Sequence, residues 1–374
     1  MTLPLLKQLL ARPSISPGDA GCVEILKNTL EQAGFTTKIL ESNQILSLYA
    51  SHGAQPEPNL CLSGHVDVVP PGPIEAWHSD PFAPTEQEGY LYARGAADMK
   101  SGVAAMTVAA INYVTHNPNH PGTISLLFTS DEEGTSENGT IAHLPVIPKP
   151  TACLVGEPTS ITRLGDEFKI GRRGSISGKL TILGKQGHTA YAHLADNAIH
   201  KCKELLVDLL SIDWGSPTPF FPPTDLQISN FHAGDGIGNV IPGQAKIWFN
   251  VRNNPQNPHD QIQSTIESIF AKHNLTHQIE WSSNAAAFLT ENSQLTEALR
   301  QAIHQVTGIA TKPSAGGGTS DARIFASRQI PVIEFGPINA TIHAANESIF
   351  LADIEPLTHI YNLFIRNYLH SQSD

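Results

Sequence analysis

A largely apolar run from Thr123 to Phe128 stops just before three consecutive carboxylates, Asp131, Glu132 and Glu133, and then Gly134. Such a run reads as a buried strand. Three adjacent like charges repel one another, and beside an apolar run water screens them less. Either a cation sits among them or they form an exposed acidic turn. How the other strands end decides between the two.

The strand Asn59–Gly64 runs into His65 and Asp67. The short strand Ala152–Val155 runs into Glu157, and Pro331–Phe335 leads on to His343. Asp98 stands in a loop ahead of an alanine-rich helix expected from about Ser101 to Thr115. Strands alternating with helices indicate an α/β sheet. In open α/β sheets the functional crevice lies beyond the carboxyl ends of the strands, so these residues should converge there. Two histidines with several carboxylates and no thiolate suit zinc, cobalt or manganese.

At 374 residues the chain is long for one domain. Near Gly174 the pattern changes. Ser175–Leu183, Asp225–Phe231, Gln244–Val251 and Thr276–Trp281 read as strands, with helices at Asp196–Leu210 and Pro258–His273. The order βαββαβ is that of a ferredoxin-like split-βαβ unit. An inserted α+β domain is therefore expected over residues 174–286, within an α/β/α catalytic domain of residues 1–173 and 287–374 that has a mostly parallel central sheet. Later elements of that domain are helices at about Ser293–Thr307 and Ile354–Leu369.

The net charge is −12, from 23 Lys plus Arg against 35 Asp plus Glu. An acidic chain with no basic run is a poor partner for nucleic acid or an anionic membrane. Cys22, Cys61, Cys153 and Cys202 are scattered in apolar contexts, as reduced core residues are. Met1–Lys7 lacks the features of an export signal, and no stretch is long enough to span a bilayer. A soluble, cytoplasmic protein is expected.

Four stretches carry a resemblance: Ser63–Pro70 around His65 and Asp67, Arg94–Lys100 around Asp98, Ser130–Gly134, and Gly156–Pro158. Together they resemble the metal-site motifs of the M20-type co-catalytic metallohydrolases, and the likeness covers essentially the whole chain. It implies two divalent metal ions, with zinc expected first and cobalt or manganese as the other candidates. It implies that His65 and Glu157 hold one ion, Glu133 and His343 the other, and that Asp98 bridges both. Glu132 would be the general base, and Asp67 would hydrogen-bond the far nitrogen of His65. The peptide bond after Asp98 is expected to be cis.

Gly171–Ser175, Gly187–Tyr191, Gly316–Arg323 and Phe335–His343 resemble one branch of that family more closely. The implied reaction is hydrolysis of N-succinyl-LL-2,6-diaminopimelate to succinate and LL-2,6-diaminopimelate, a step toward lysine. The implied substrate contacts are Arg172, Tyr191, Asn239, Arg252, Thr319 and Asn339. The two arginines suit bidentate carboxylate binding. The inserted domain would form a homodimer, with His188 reaching the partner's active site as an oxyanion donor. The chain has Ala192, Ala198 and Ala287 where this branch usually has proline, and none of these is a proposed ligand. An acetylornithine deacetylase or dipeptidase with the same metal site is the nearest alternative. A non-catalytic, metal-stabilised binding protein is the alternative from another class.

Overall fold

The computed structural model describes residues 1–371 and divides into two compact units. The first comprises Met1–Gly171, Thr290–Ser314 and the chain from Ser320 onward; the second comprises Arg172–Leu289 with Ala315–Thr319. The second unit thus begins two residues before the expected limit, ends three after it, and includes the glycine loop 315–319.

The first unit opens with α1 (Thr2–Leu10) and α2 (Cys22–Glu31), then β1 (Thr36–Ser42), β2 (Ile45–His52) and β3 (Asn59–His65). Helix α3 (Lys100–His116) follows, then β4 (Thr123–Thr129), β5 (Ala152–Val155) and β6 (Glu167–Lys169). The second unit is β7 (Gly174–Leu183), α4 (Ala198–Leu210), β8 (Asp225–Ala233), β9 (Gln244–Asn253), α5 (His259–Lys272) and β10 (His277–Ala285). The first unit then resumes with α6 (Ser293–Thr307), β11 (Lys312–Ser314), α7 (Ala322–Ser327), β12 (Val332–Glu334) and α8 (Leu351–Ser371).

The main sheet has eight strands in the order β1-β2-β4-β3-β5-β12-β6-β11. Its centre, β4-β3-β5-β12, is parallel throughout. Antiparallel pairs join β1 to β2, β2 to β4 and β12 to β6. Strand β3 is buried along its whole length and β5 likewise, as strands covered on both faces are. Cys61 and Cys153 face each other across β3 and β5, and all four cysteines are buried and free. Helix α3 is buried from Lys100 to Ile111, which explains its alanine-rich sequence. Gly102 has no room for a side chain, because an added Cβ would overlap the carbonyl oxygen of Gly156.

The second unit is a four-stranded antiparallel sheet in the order β8-β9-β7-β10, with α4 and α5 packed on its apolar side. The alternating pattern in β9 buries Ala245, Ile247, Phe249 and Val251, which meet Cys202, Leu205, Ile262 and Ile266 from the helices. Gly178 is required opposite Phe249, whose ring fills the space a Cβ would take. No helix among the described residues is long and apolar enough to cross a membrane.

Candidate active site

The four parallel strands at the centre of the first unit point their carboxyl ends the same way, and the candidate ligands follow from those ends. His65 is the last residue of β3, Glu132 and Glu133 follow β4, Glu157 follows β5, and His343 comes from the segment after β12. Asp131, at φ +98°, turns the chain sharply beyond β4. Its carboxylate accepts from the backbone N–H groups of Thr135 and Asn138, at 3.0 Å each, and so fixes the turn that presents the two glutamates.

Asp98 lies between the two histidines. Its Oδ1 is 3.3 Å from His65 Nε2, and its Oδ2 is 3.3 Å from His343 Nε2. His65 Nε2 is also 3.8 Å from Glu132 Oε2 and 3.8 Å from Glu157 Oε1. His343 Nε2 is 3.0 Å from Glu133 Oε1. Ligand atoms of His65, Asp98 and Glu133 lie within 4.8 Å of one another, as do those of His65, Glu132 and Glu157. The peptide bond between Asp98 and Met99 is cis.

The electrostatics are those of a cation site. Burial opposes charge on His65, but Asp98, Glu132, Asp67 and Glu157 outweigh it and hold the imidazole well above its ordinary pKa. His343 is lifted to about 10 by Asp98 and Glu133. Burial raises Glu132 well above the usual carboxylate range, with Asp321, Glu133 and Asp98 adding to it against the pull of His65. Burial also raises Glu157, helped by Asp98 and Glu132. Burial opposes the charge on Asp98 too, yet the two histidines hold it below its ordinary value. His65 Nε2 and Asp98 Oδ1 are buried without a hydrogen-bond partner. Unsatisfied buried polar atoms are costly, and cations shared among these groups would satisfy them. Two imidazoles and four carboxylates, with no thiolate, fit two borderline divalent ions.

One sequence expectation is corrected. Nδ1 of His65 lies 2.9 Å from the backbone carbonyl oxygen of Asp67, while the Asp67 carboxylate is 3.6 Å away. That carboxylate instead accepts from the backbone N–H groups of Glu132 and Glu133, at 3.3 and 3.1 Å. Asp67 is fully buried, and amides are the donors its carboxylate meets. It therefore orients Glu132 and Glu133, and the backbone orients His65.

The remaining candidates fall into separate groups. In the second unit the His188 and Tyr191 rings lie 5.8 Å apart, and Thr189 N–H donates to the Asn239 carbonyl at 3.0 Å. All three candidates there, His188, Tyr191 and Asn239, are exposed. Arg252 is exposed on β9, at some remove in sequence from that loop, and its carbonyl accepts from Arg173 Nη2 at 3.0 Å. Arg172 is buried, and its Nη1 donates to the carbonyls of Gly318 at 2.8 Å and Gly316 at 3.4 Å. Thr319 is exposed beside that loop. Asn339, in the first unit, is half-buried, and its N–H donates to Ser160 O at 2.9 Å. Two buried carboxylates near the cluster were missed by sequence reasoning. Asp321 accepts from Thr140 Oγ1 at 2.5 Å, and Glu347 lies four residues beyond His343. That close spacing after a candidate ligand was the available signal for Glu347.

The chain belongs to peptidase family M20/M25/M40, whose model matches residues 61–367. The solved structures it resembles share the fold at low identity. They include aminopeptidase PepT of Bacillus cereus, with a TM-score of 0.77 at 18% identity over 98% of each chain. Another is the M20 family metallo-carboxypeptidase Sso-CP2 of Sulfolobus solfataricus, with a TM-score of 0.74 at 19% identity over 99% of each chain. Among more similar relatives is the succinyl-diaminopimelate desuccinylase of Bordetella parapertussis, 46% identical over 98% of each chain. The Coxiella burnetii protein of the same name is 47% identical over 96% of this chain and 97% of its own.

Proposed function

We propose that this enzyme hydrolyses N-succinyl-LL-2,6-diaminopimelate to succinate and LL-2,6-diaminopimelate, with two divalent ions, zinc first among them. The observation that carries the reading is Asp98, with one oxygen 3.3 Å from each histidine and Glu132 across the same cluster. The relatives of that name at 46 and 47% identity support the choice of substrate.

In this reading His65 and Glu157 would hold one ion, Glu133 and His343 the other, with Asp98 shared between them. When bound, the pair supplies a Lewis acid for the amide carbonyl and acidifies the attacking water. Glu132 takes the proton of that water on its carboxylate and returns it to the departing amine, so that water adds across the C–N bond. Its raised proton affinity suits both halves of that task. Asp67 keeps Glu132 on station through the amide it binds. Substrate carboxylates are assigned to Arg172, Arg252 and the loop at Thr319, with Tyr191 and Asn339 as further contacts. His188, with Asn239, is assigned to the developing oxyanion across a homodimer formed through residues 174–286. Four free cysteines support a cytoplasmic location.

The test is release of succinate from the synthetic substrate by metal-free protein reloaded with zinc, run beside N-acetylornithine and a set of dipeptides. Turnover confined to the succinylated substrate is expected. Faster turnover of acetylornithine or a dipeptide would move the chain to another branch of the family. Metal uptake without turnover of anything would make it a binding protein.

A further inference from the structure

Asp98 and His343 come from distant parts of the first unit's sequence, yet they must face one another at a fixed distance. Between their backbones lies a buried ion pair, Arg94 with Glu347, at 2.7 Å and with both residues almost wholly excluded from water. The Glu347 carboxylate has four donors. Oε2 accepts from Arg94 Nη1 at 2.7 Å and from Gly95 N–H at 2.9 Å. Oε1 accepts from the N–H groups of Ala97 and Asp98, at 2.8 Å each. Three amides of one turn therefore converge on one carboxylate, and the turn reaches that shape because Gly95 sits at φ +83°. The last of those amides belongs to Asp98 itself.

Arg94 holds the other side. Its Nη1 donates to the Ala344 carbonyl at 3.2 Å, and its Nη2 to Pro70 O at 3.3 Å and His343 O at 3.5 Å. The guanidinium lies over the Trp77 ring, 5.2 Å from its centroid. A buried ion pair adds little to stability beyond what apolar residues of the same volume would give. Apolar residues could not bind three amides on one side and two carbonyls next to a ligand on the other.

We infer that Glu347 and Arg94 are positioning residues that set the spacing between Asp98 and His343; the inference rests on the two-metal reading of the cluster. Neither is among the residues that would hold the ions. They make the Asp98 turn and the His343 segment one piece, so that loss of the pair loosens the ion held between those two ligands more than the ion beside His65 and Glu157.

The experiment titrates metal-free wild type, Glu347→Gln and Arg94→Lys with cobalt(II), by calorimetry and by the visible absorption of the bound ion. Circular dichroism and melting curves show that each variant is folded at the assay temperature. In Glu347→Gln the amide group would turn N–H toward N–H donors on one side. The cobalt site that His343→Ala also weakens should lose about 10- to 100-fold in affinity, the usual effect of removing a partner behind a ligand, with an altered spectrum. Arg94→Lys keeps the charge pair but gives up the fork to His343 and Ala344, and the same site should weaken. A folded Glu347→Gln or Arg94→Lys chain with both affinities and the spectrum unchanged would overturn the inference. Should neither variant fold, hydrogen exchange on metal-free wild type decides. The Ala97 and Asp98 amides should exchange slowly, and exchange at open-loop rates would refute the clamp. A wild-type chain that takes up fewer than two ions would sink the two-metal reading, and the amide exchange would still judge the clamp.

Discussion

Loading the metal-free protein with zinc at pH 7 should expel protons, and the structure sets how many. His65 is held well above its ordinary pKa and His343 is lifted to about 10, so both imidazoles carry a proton at neutrality. Each must give it up to ligate, for a release of about two per chain. Burial raises Glu157 and Glu132 as well, but their charge helps hold the proton on His65, so the count per chain stays at about two. Asp98 is held ionised and adds nothing. Calorimetric titrations in buffers of different ionisation enthalpy, at one pH, read the number directly. Affinity should climb with pH, its logarithm rising by about two per unit near neutrality. The His343 share should fade as the pH passes about 10. His343→Ala should release about one proton fewer. A net release below about one at pH 7 would refute the picture of two protonated imidazoles displaced by metal. The same shift has a sign for stability. The His343 pKa is raised above its unfolded value of 6.5, so its contribution is complete below that value and is lost as pH rises through about 10. Metal-free protein should therefore melt at lower temperature as the pH is taken from neutrality toward 10. His343 is half exposed, so solvent screening keeps the effect small.

Glu132→Gln should keep both ions and lose about 100- to 10,000-fold in turnover, because an amide cannot accept the proton of water; metal analysis beside kinetics checks it, and a tenth of the normal rate would be too much. Arg252→Ala should raise KM for the succinylated substrate by about 10- to 100-fold, from one charged hydrogen-bond partner lost, while a neutral N-acyl substrate changes less. Equal losses on both would assign Arg252 to the fold. Glu132→Gln chains mixed with His188→Ala chains, with subunit exchange verified, should recover about a quarter of wild-type activity; no recovery would place His188 in its own chain's site. Gly102→Ala should cost about 1–3 kcal/mol in denaturant unfolding, since the new methyl meets the backbone carbonyl of Gly156 beside Glu157. An unchanged midpoint would show that α3 can shift to make room.

The ligand cluster was legible because a buried strand leaves little freedom at its end. Once Asn59–Gly64, Thr123–Phe128 and Ala152–Val155 read as neighbouring apolar strands, whatever followed each had to share one crevice. Long amphipathic helices were equally plain, and α6 matches its expected limits of Ser293 and Thr307. Elements without a period to read were harder. The strands Thr85–Gln87, Tyr90–Tyr92 and Ser348–Phe350 form a small sheet, but three residues carry too little alternation to find. Helix α1, with Leu5, Leu6, Leu9 and Leu10 buried, is short enough that its apolar face passed as a terminal segment. Side-chain partners are the least legible of all. The hydrogen bonds of Asp67 to two amides, and of Arg172 to two glycine carbonyls, depend on backbone positions that no residue-level pattern encodes.

The way β7 and β10 pair also bears on how such a chain can be taken apart. Ser175, near the start of the inserted segment, stands opposite Ala285 near its end, on neighbouring antiparallel strands. The entrance and exit of more than a hundred residues are thus about 5 Å apart, the spacing of adjacent strands. A gap of that width is one that a tight turn closes, and long insertions add little to the entropy of closing a loop. Every candidate ligand lies outside the excursion. The segment can therefore vary in length at one narrow junction while His65, Asp98, Glu132, Glu133, Glu157 and His343 keep their places in the first unit.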